Sequence, residues 1–266
     1  MRRRIALLTL LAVSLAAPFA ASVVGVEQQA TGWLSTWTLT SEIPAREANQ
    51  AAAADEQFVY AIDNSVVARY DRNTGKRISV STGEAKHLNS GFLHEGRLYC
   101  AHSNYPSKPE RSEIKVLDLK SMELTNFKDF GNYDGGSLTW AIFEDGHWWC
   151  NFAFYGDDNG KTFLAKFGPN WEEVARYTYP PEVIAQIKRY SLSGGVWRDG
   201  SLLVTDHDHR VLYELRLPES GNVLRYVGQH SAPFTGQGIA ADPQTGGLVG
   251  IDRAKKKILF AQPAKE

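Results

Sequence analysis

The sequence predicts an all-β protein: a five-bladed β-propeller of four-stranded antiparallel blades, with its ring closed by an N-terminal strand. Three observations in the 266 residues predict it. One hairpin motif recurs at intervals of roughly 40 to 55 residues, and further strands follow each copy, as in propeller repeats. The composition agrees, since 7 Trp, 11 Tyr, 12 Phe and 23 Gly suit short strands joined by tight turns.

The start of the chain has the pattern of an export signal. Three arginines at positions 2–4 precede an apolar run over residues 5–15, and small residues follow. We therefore expect a signal peptide over residues 1–25, a secreted or periplasmic protein, and no stable membrane span after cleavage. The alternative is an uncleaved anchor helix, because the apolar segment is close to the minimum length for spanning a bilayer.

The recurring unit is a hairpin. A polar residue beside Gly or Ala opens a short apolar run, an acidic–Gly turn follows, and a second apolar run ends the motif. Four clear copies and one degenerate copy without the turn glycine occupy residues 89–100, 137–150, 193–204, 237–249 and 50–60. A β-sandwich does not require one hairpin to recur five times, so the repeat favours the propeller. A six-bladed ring would need a unit that this pattern misses.

Third strands follow the hairpins and alternate apolar with polar residues. They are predicted at residues 66–71, 114–118, 163–167, 211–215 and 258–260. Most units add a fourth strand, as at residues 171–177, but the last unit has none after Phe260. Residues 33–39 have the alternation to supply it, which gives one domain over residues 33–266. One helix is expected at residues 181–190, as an insert between blades.

Charge and cysteine content exclude some functions and leave others open. The formal net charge is −1 without a basic stripe, which argues against nucleic acid and anionic membranes as partners. We expect a monomer. Cys100 and Cys150 fall at equivalent positions of neighbouring units, which favours two buried thiols, with one disulfide as the alternative.

Candidate site residues gather at one mouth of the predicted axis. The first two strands of a blade are antiparallel, so residues just before and just after each hairpin meet on one face. In each unit, the residue three positions after the aligned second-strand residue is selected. These residues are Asp63, His102, Phe152, Asp206 and Asp252, and all but Phe152 are ionisable. Strand openings and loops add His87, Asn89, Ser90, Tyr105, Ser137, Thr139, Tyr190, Ser193, His207 and Gln237.

This set predicts a site for a small polar ligand. The alternative for any single member is a turn residue that bonds its own backbone. Tyr105 and Tyr155 lie in longer loops, where they would stack on a sugar ring or cover the loop base. Residues 206–209, Asp-His-Asp-His, are the densest group of possible metal ligands, but metal and cofactor use stay open.

Two segments carry a family resemblance. Phe234-Thr235-Gly236-Gln237-Gly238-Ile239 resembles, with one residue inserted, the Phe-Thr-Gln-Gly-Leu opening of propeller-type glutaminyl cyclotransferases, and residues 206–215 resemble one of their blade ends. The resemblance implies the fold and not the activity. Asn89-Ser90-Gly91 and Ser193-Gly194-Gly195 stand where that family has acidic segments. Lactonase and cycloisomerase propellers share the same generic hairpins.

The sequence therefore predicts an exported β-propeller that binds a small polar ligand, a sugar or an organic acid, at the axial mouth. One alternative is an enzyme of lyase, cyclase, cycloisomerase or hydrolase type, with Asp206 and His102 as its acid–base pair. Another is a scaffold that binds protein through its rim. The sequence contains no nucleophile elbow, phosphate loop or dinucleotide fingerprint that would choose among them.

Overall fold

The computed structural model describes residues 32–264, which are mostly β-structure. Strands are numbered along the chain, and three separate sheets each hold four antiparallel strands in sequential order. The first holds β2 (Ala51–Ala54), β3 (Phe58–Ile62), β4 (Val67–Asp71) and β5 (Arg77–Val80). The second holds β6 (His87–His94), β7 (Arg97–Ser103), β8 (Ser112–Asp118) and β9 (Glu123–Gly131). The third holds β10 (Ser137–Glu144), β11 (His147–Ala153), β12 (Phe163–Phe167) and β13 (Glu173–Thr178).

The remaining strands form one eight-stranded sheet in the order β14-β15-β16-β17-β1-β20-β19-β18. Its members are β14 (Gly194–Arg198), β15 (Ser201–Thr205), β16 (Val211–Arg216), β17 (Arg225–Ser231), β18 (Ala240–Asp242), β19 (Gly247–Asp252), β20 (Lys257–Pro263) and β1 (Trp33–Pro44). The strand β1 pairs antiparallel with β20, and its start runs parallel to β17. The first strand of the described chain therefore lies beside the last one.

The opening strands of the units pack around a common centre. Contacts run from β2 to β6, β6 to β10, β10 to β14, β14 to β18, and β18 back to β2. Glycines permit this close approach: a Cβ on Gly238 would lie 2.5 Å from Ala51 Cβ, and one on Gly194 would lie 2.7 Å from the Gln237 carbonyl oxygen. Gly194 and Gly238, which follow the polar residues Ser193 and Gln237, thus serve packing at the centre.

Three hairpins have the turn that their acidic–Gly pairs predict. Both central residues take positive φ, at 48° and 71° for Glu95 and Gly96 and at 50° and 74° for Asp145 and Gly146. Asp199 and Gly200 do the same. Such turns match the twist of the flanking strands, and glycine at the second position avoids the strain of a side chain.

The expected helix is present but shorter than predicted. Helix α1 (Pro181–Ile187) lies between β13 and β14 and buries Val183 and Ile187. It ends at Ile187 because Lys188 takes a φ of 54°, which is outside the helical region. No helix within residues 32–264 has the length and apolar character to cross a bilayer. The predicted signal peptide lies outside the described residues.

Both cysteines are unpaired and fully buried, in β7 and β11. Burial raises the pKa of the Cys100 thiol to about 12 and also raises that of Cys150. They are thus unreactive packing residues, which confirms the prediction of two buried thiols over a disulfide.

Candidate functional site

A cavity of about 520 Å³ lies where the five opening strands converge. Each of these strands contributes an amide or hydroxyl side chain to the lining from within three residues of its start: Gln50, Asn89, Thr139, Ser193 and Gln237. We call these residues the floor of the cavity. The lining side chains that come from connecting loops form its rim, namely Tyr105, Lys108, Glu110, Tyr155, Arg189, Tyr190, His207 and Arg253.

Backbone carbonyls fix the orientation of two floor amides. Asn89 Nδ2 donates to the Leu138 carbonyl at 2.8 Å, and Gln237 Nε2 donates to the His207 carbonyl at 2.9 Å. A carbonyl only accepts, so the nitrogen of each amide must face it. The two amide oxygens are therefore the groups left to accept a hydrogen bond from a ligand.

A fully buried network holds the floor at Thr139. Its hydroxyl donates to the Leu192 carbonyl at 2.8 Å and accepts from Asn151 Nδ2 at 2.7 Å. Asn151 Oδ1 in turn accepts from the Tyr179 hydroxyl at 2.7 Å. Because its donor and an acceptor position are occupied, Thr139 shapes the wall more than it binds.

Aromatic rings line the rim. Tyr105 is 56% exposed and lies 5.1 Å, centroid to centroid, from the His87 ring. Tyr190 stacks on His207 at 4.7 Å with an interplanar angle of 11°. Tyr155 adds a third phenol ring. All three tyrosines are between 39% and 56% exposed, so the rim is aromatic where it meets solvent.

The charged lining is mostly cationic. Lys108, Arg189 and Arg253 face a single carboxylate, Glu110, which forms an ion pair with Lys108 at 3.2 Å. Arg253 Nε donates to Asn49 Oδ1 at 3.2 Å, and neither arginine forms an ion pair within residues 32–264. Glu110 is only 6% exposed, and its Oε1 has no hydrogen-bond partner in the same range.

The electrostatic environment keeps two ring groups neutral. Burial, assisted by the positive charge of Arg253, lowers the pKa of His87, and Glu110 opposes the shift. Burial, with Glu110 and Tyr105, raises the pKa of Tyr155. At neutral pH His87 is therefore an uncharged imidazole, and Tyr155 keeps its proton.

Most of the ligand residues selected from the sequence lie around this cavity: His87, Asn89, Tyr105, Ser137, Thr139, Tyr190, Ser193, His207 and Gln237. Ser90 is buried beside Gly238 at the centre. Asp63 and Asp252 lie away from the cavity lining, and each bonds a nearby backbone amide and a side chain from another segment. Asp63 Oδ1 accepts from Asn49 Nδ2 and from the Asn64 amide. Asp252 accepts from the Lys255 amide and from Arg210.

Tyr155, expected from the sequence as a loop residue that would stack on a sugar ring or cover the loop base, lies in the lining, but several other lining residues were not predicted: Gln50, Lys108, Glu110, Gly156, Arg189 and Arg253. Gln50 had a usable signal, because Gln50-Ala51 is the counterpart of Gln237-Gly238 in the repeat. The arginines had none, since each lies in a loop outside the repeat and reaches the cavity only through the fold.

Asp206 and His102, the predicted acid–base pair, do not share a cavity. The Asp206 carboxylate is buried and accepts from the backbone amides of Asp208 and His209, at 2.8 and 2.6 Å. Its other oxygen lies 2.5 Å from His209 Nδ1. Asp206 therefore ties its own loop together. The geometry therefore does not support an acid–base role for this pair.

His102 lines a second cavity of about 630 Å³, between the first and second sheets. Its Nε2 accepts from the Lys86 amide at 2.9 Å, so Nδ1 carries the proton and lies 3.3 Å from Glu113 Oε2. Burial and the charge of Lys115 lower the pKa of His102 to about 4, against the opposing effect of Glu113. The imidazole is therefore neutral at pH 7.

The Asp-His-Asp-His segment does not form a metal cage. His207 Nδ1 lies 2.8 Å from Asp208 Oδ1, while His209 turns back to Asp206. Across residues 32–264, no three His, Cys, Asp or Glu side chains converge as a metal-binding group.

Comparisons with known proteins support the fold. The glutaminyl cyclase of Myxococcus xanthus has 10% identity and a TM-score of 0.57, covering 86% of this chain and 97% of its own. A putative oxidoreductase (glucose dehydrogenase) of Thermus thermophilus has 10% identity and a TM-score of 0.51, covering 85% and 100%. No family model matches, and no curated protein matches by sequence. At this identity the likeness shows a propeller-like fold and nothing about activity.

Proposed function

We propose that this chain is an exported five-bladed β-propeller that binds a small polar ligand, a sugar or an organic acid, in its axial cavity. The observation that carries the proposal is the floor of the cavity, to which every opening strand contributes at least one amide or hydroxyl side chain. The volume of about 520 Å³ falls within the range of small-molecule sites.

The ring of five blades is supported by the strand contacts. The cycle of opening strands returns from β18 to β2, and each unit supplies four strands when β1 is counted with β18, β19 and β20. The pairing of β1 with β20 supports closure of the ring between the start and the end of the domain. Export is supported by the N-terminal sequence pattern alone, and N-terminal sequencing of the secreted protein should begin near residues 20–26.

A thermal-shift and calorimetric screen tests the binding proposal. The full chain is titrated with neutral sugars, uronic acids and small dicarboxylates. At least one compound should bind and raise the melting temperature. Tyr190→Ala, on the exposed rim, should weaken its binding, and Ser193→Trp, which fills the floor, should abolish it.

Ser65→Trp is the matched control, because Ser65 is an exposed residue that lines the second cavity instead. This variant should bind like the wild type. The proposal fails if no compound binds, or if binding is lost in Ser65→Trp and kept in Ser193→Trp.

A further inference from the structure

We propose that the ligand of the axial cavity is a sugar acid, a hydroxylated compound that carries a carboxylate. This inference rests on the proposed binding function and commits that function to one chemical class. It follows from three features of the lining: its unpaired cations, its free acceptors and its aromatic faces.

The cations of the rim that have no ion pair favour an anionic ligand. Three of the four charged rim residues are basic, and Glu110 neutralises only Lys108. The guanidinium groups of Arg189 and Arg253 are thus left at the cavity without a carboxylate partner in residues 32–264. Guanidinium forms its strongest hydrogen bonds with carboxylate and phosphate oxygens, to which it can donate two parallel bonds.

The free acceptors require hydroxyl groups on the same ligand. Asn89 and Gln237 offer amide oxygens, since their nitrogens are bound to carbonyls. Glu110 adds a buried carboxylate oxygen without a partner in the described part of the chain. A simple dicarboxylate, ionised at neutral pH, has no proton to donate to these oxygens. A polyhydroxylated acid satisfies both the acceptors and the arginines.

The aromatic rim suits the ring of such a compound. Tyr105 is 56% exposed at the entrance, and the stacked pair of Tyr190 and His207 presents another flat surface. The C–H face of a sugar ring packs on surfaces of this kind while its hydroxyls point away. The rim and floor together therefore offer partners for the ring, the hydroxyls and the carboxylate of a sugar acid.

Calorimetric titration with D-glucuronate, D-glucose and succinate tests the inference on the full chain. D-Glucuronate should bind at least about tenfold more tightly than either of the others, which corresponds to one charge-assisted contact of about 1.4 kcal/mol. In the double variant Arg189→Met/Arg253→Met, glucuronate affinity should fall by about tenfold or more, while glucose affinity stays within about twofold.

Arg225→Met serves as the control, because Arg225 is an exposed residue of β17 outside the cavity lining. It should bind glucuronate like the wild type, and unchanged melting temperatures will show that each variant folds.

Equal affinity for glucose and glucuronate overturns the inference and leaves the binding function standing. Preference for succinate overturns it in favour of a plain organic acid. Loss of glucuronate binding in Arg225→Met would also contradict the arginine assignment, whereas an absence of binding by any screened compound overturns the function itself.

Discussion

At the residue scale, aspartates were the least predictable members of the site. Asp63, Asp206 and Asp252 each follow a second strand and each accept from a backbone amide one to three residues later. A carboxylate at the start of a turn has these amides within reach before any ligand arrives. Sequence position showed that these residues lie at strand ends, but it could not show which way their carboxylates turn.

His102 should make stability depend on pH. The folded pKa is about 4, well below the unfolded value of about 6.5, so only the unfolded chain takes up the proton between these values. Above about pH 6.5 His102 therefore does not reduce the free energy of unfolding. As the pH falls towards 4, protonation of the unfolded chain lowers this free energy by up to about 3 kcal/mol.

Urea denaturation from pH 7.5 to 4 measures this effect. In His102→Gln the side-chain oxygen can still accept from the Lys86 amide but does not titrate, so the variant should show a flatter pH profile. His147→Gln, at a hairpin turn, is the control and should keep the wild-type slope. Equal slopes for His102→Gln and the wild type would count against the assignment.

Gly238 should tolerate no side chain. A Cβ there would lie 2.5 Å from Ala51 Cβ and 3.1 Å from Ser90 Cα at the centre of the molecule. We expect Gly238→Ala to lower the free energy of unfolding by about 1–3 kcal/mol. Gly160→Ala is the control, because the nearest atom to its Cβ is 4.0 Å away. A similar loss for both variants would refute the packing argument.

At the element scale, β1 illustrates how one strand serves two environments. Trp37 is 5% exposed and packs in the cluster that contains Leu203, Leu212 and Phe234. Trp33, four residues earlier in the same strand, is 61% exposed. The inner residue therefore attaches the strand to the body of the protein, and the outer one contributes little apolar burial.

This contrast gives a paired prediction. Trp37→Ala should cost about 3–5 kcal/mol of unfolding free energy, because it removes a large buried side chain and leaves a cavity. Trp33→Ala should change stability by less than about 0.5 kcal/mol. Chemical denaturation monitored by circular dichroism compares the two, and equal losses would contradict the described position of β1.

The strands were the most predictable elements. The third strand at residues 163–167 coincides with β12, and residues 33–39 fall within β1. Their alternation and the acidic–Gly turns are local properties that a sequence displays directly. The short helix ended early because Lys188 takes a positive φ, a conformation that no residue type in that segment signals. Arg189 and Arg253 join the cavity through loop paths that have no periodicity.

At the scale of the whole molecule, Arg72 links the first unit to the last. Its guanidinium donates two hydrogen bonds to Asp242, at 2.7 and 2.6 Å, and lies over the Phe260 ring. Both charged side chains are almost fully buried. Burial alone would raise the pKa of Asp242, but the bonds from Arg72 and Thr245 hold it below its usual value.

Arg72→Met should therefore destabilise the fold by about 3–5 kcal/mol, since it leaves Asp242 buried without its counter-charge. Urea denaturation at pH 7 measures the loss. Lys161→Met breaks an exposed pair with Asp158 and should cost less than about 1 kcal/mol. The double variant Arg72→Met/Asp242→Leu should lose less than the sum of its single changes, and strict additivity would show that the two residues are not coupled.

The floor of the cavity ties recognition to the number of repeats. Each opening strand supplies at least one polar group, so in the proposed five-bladed ring gaining or losing a unit would change both the diameter of the ring and its set of hydrogen-bonding groups. Duplication of one unit would thus change which ligand the central cavity can bind, even if the protein still folded. Under the proposed binding function, we expect this chain to evolve by substitution at the rim while the number of repeats stays constant.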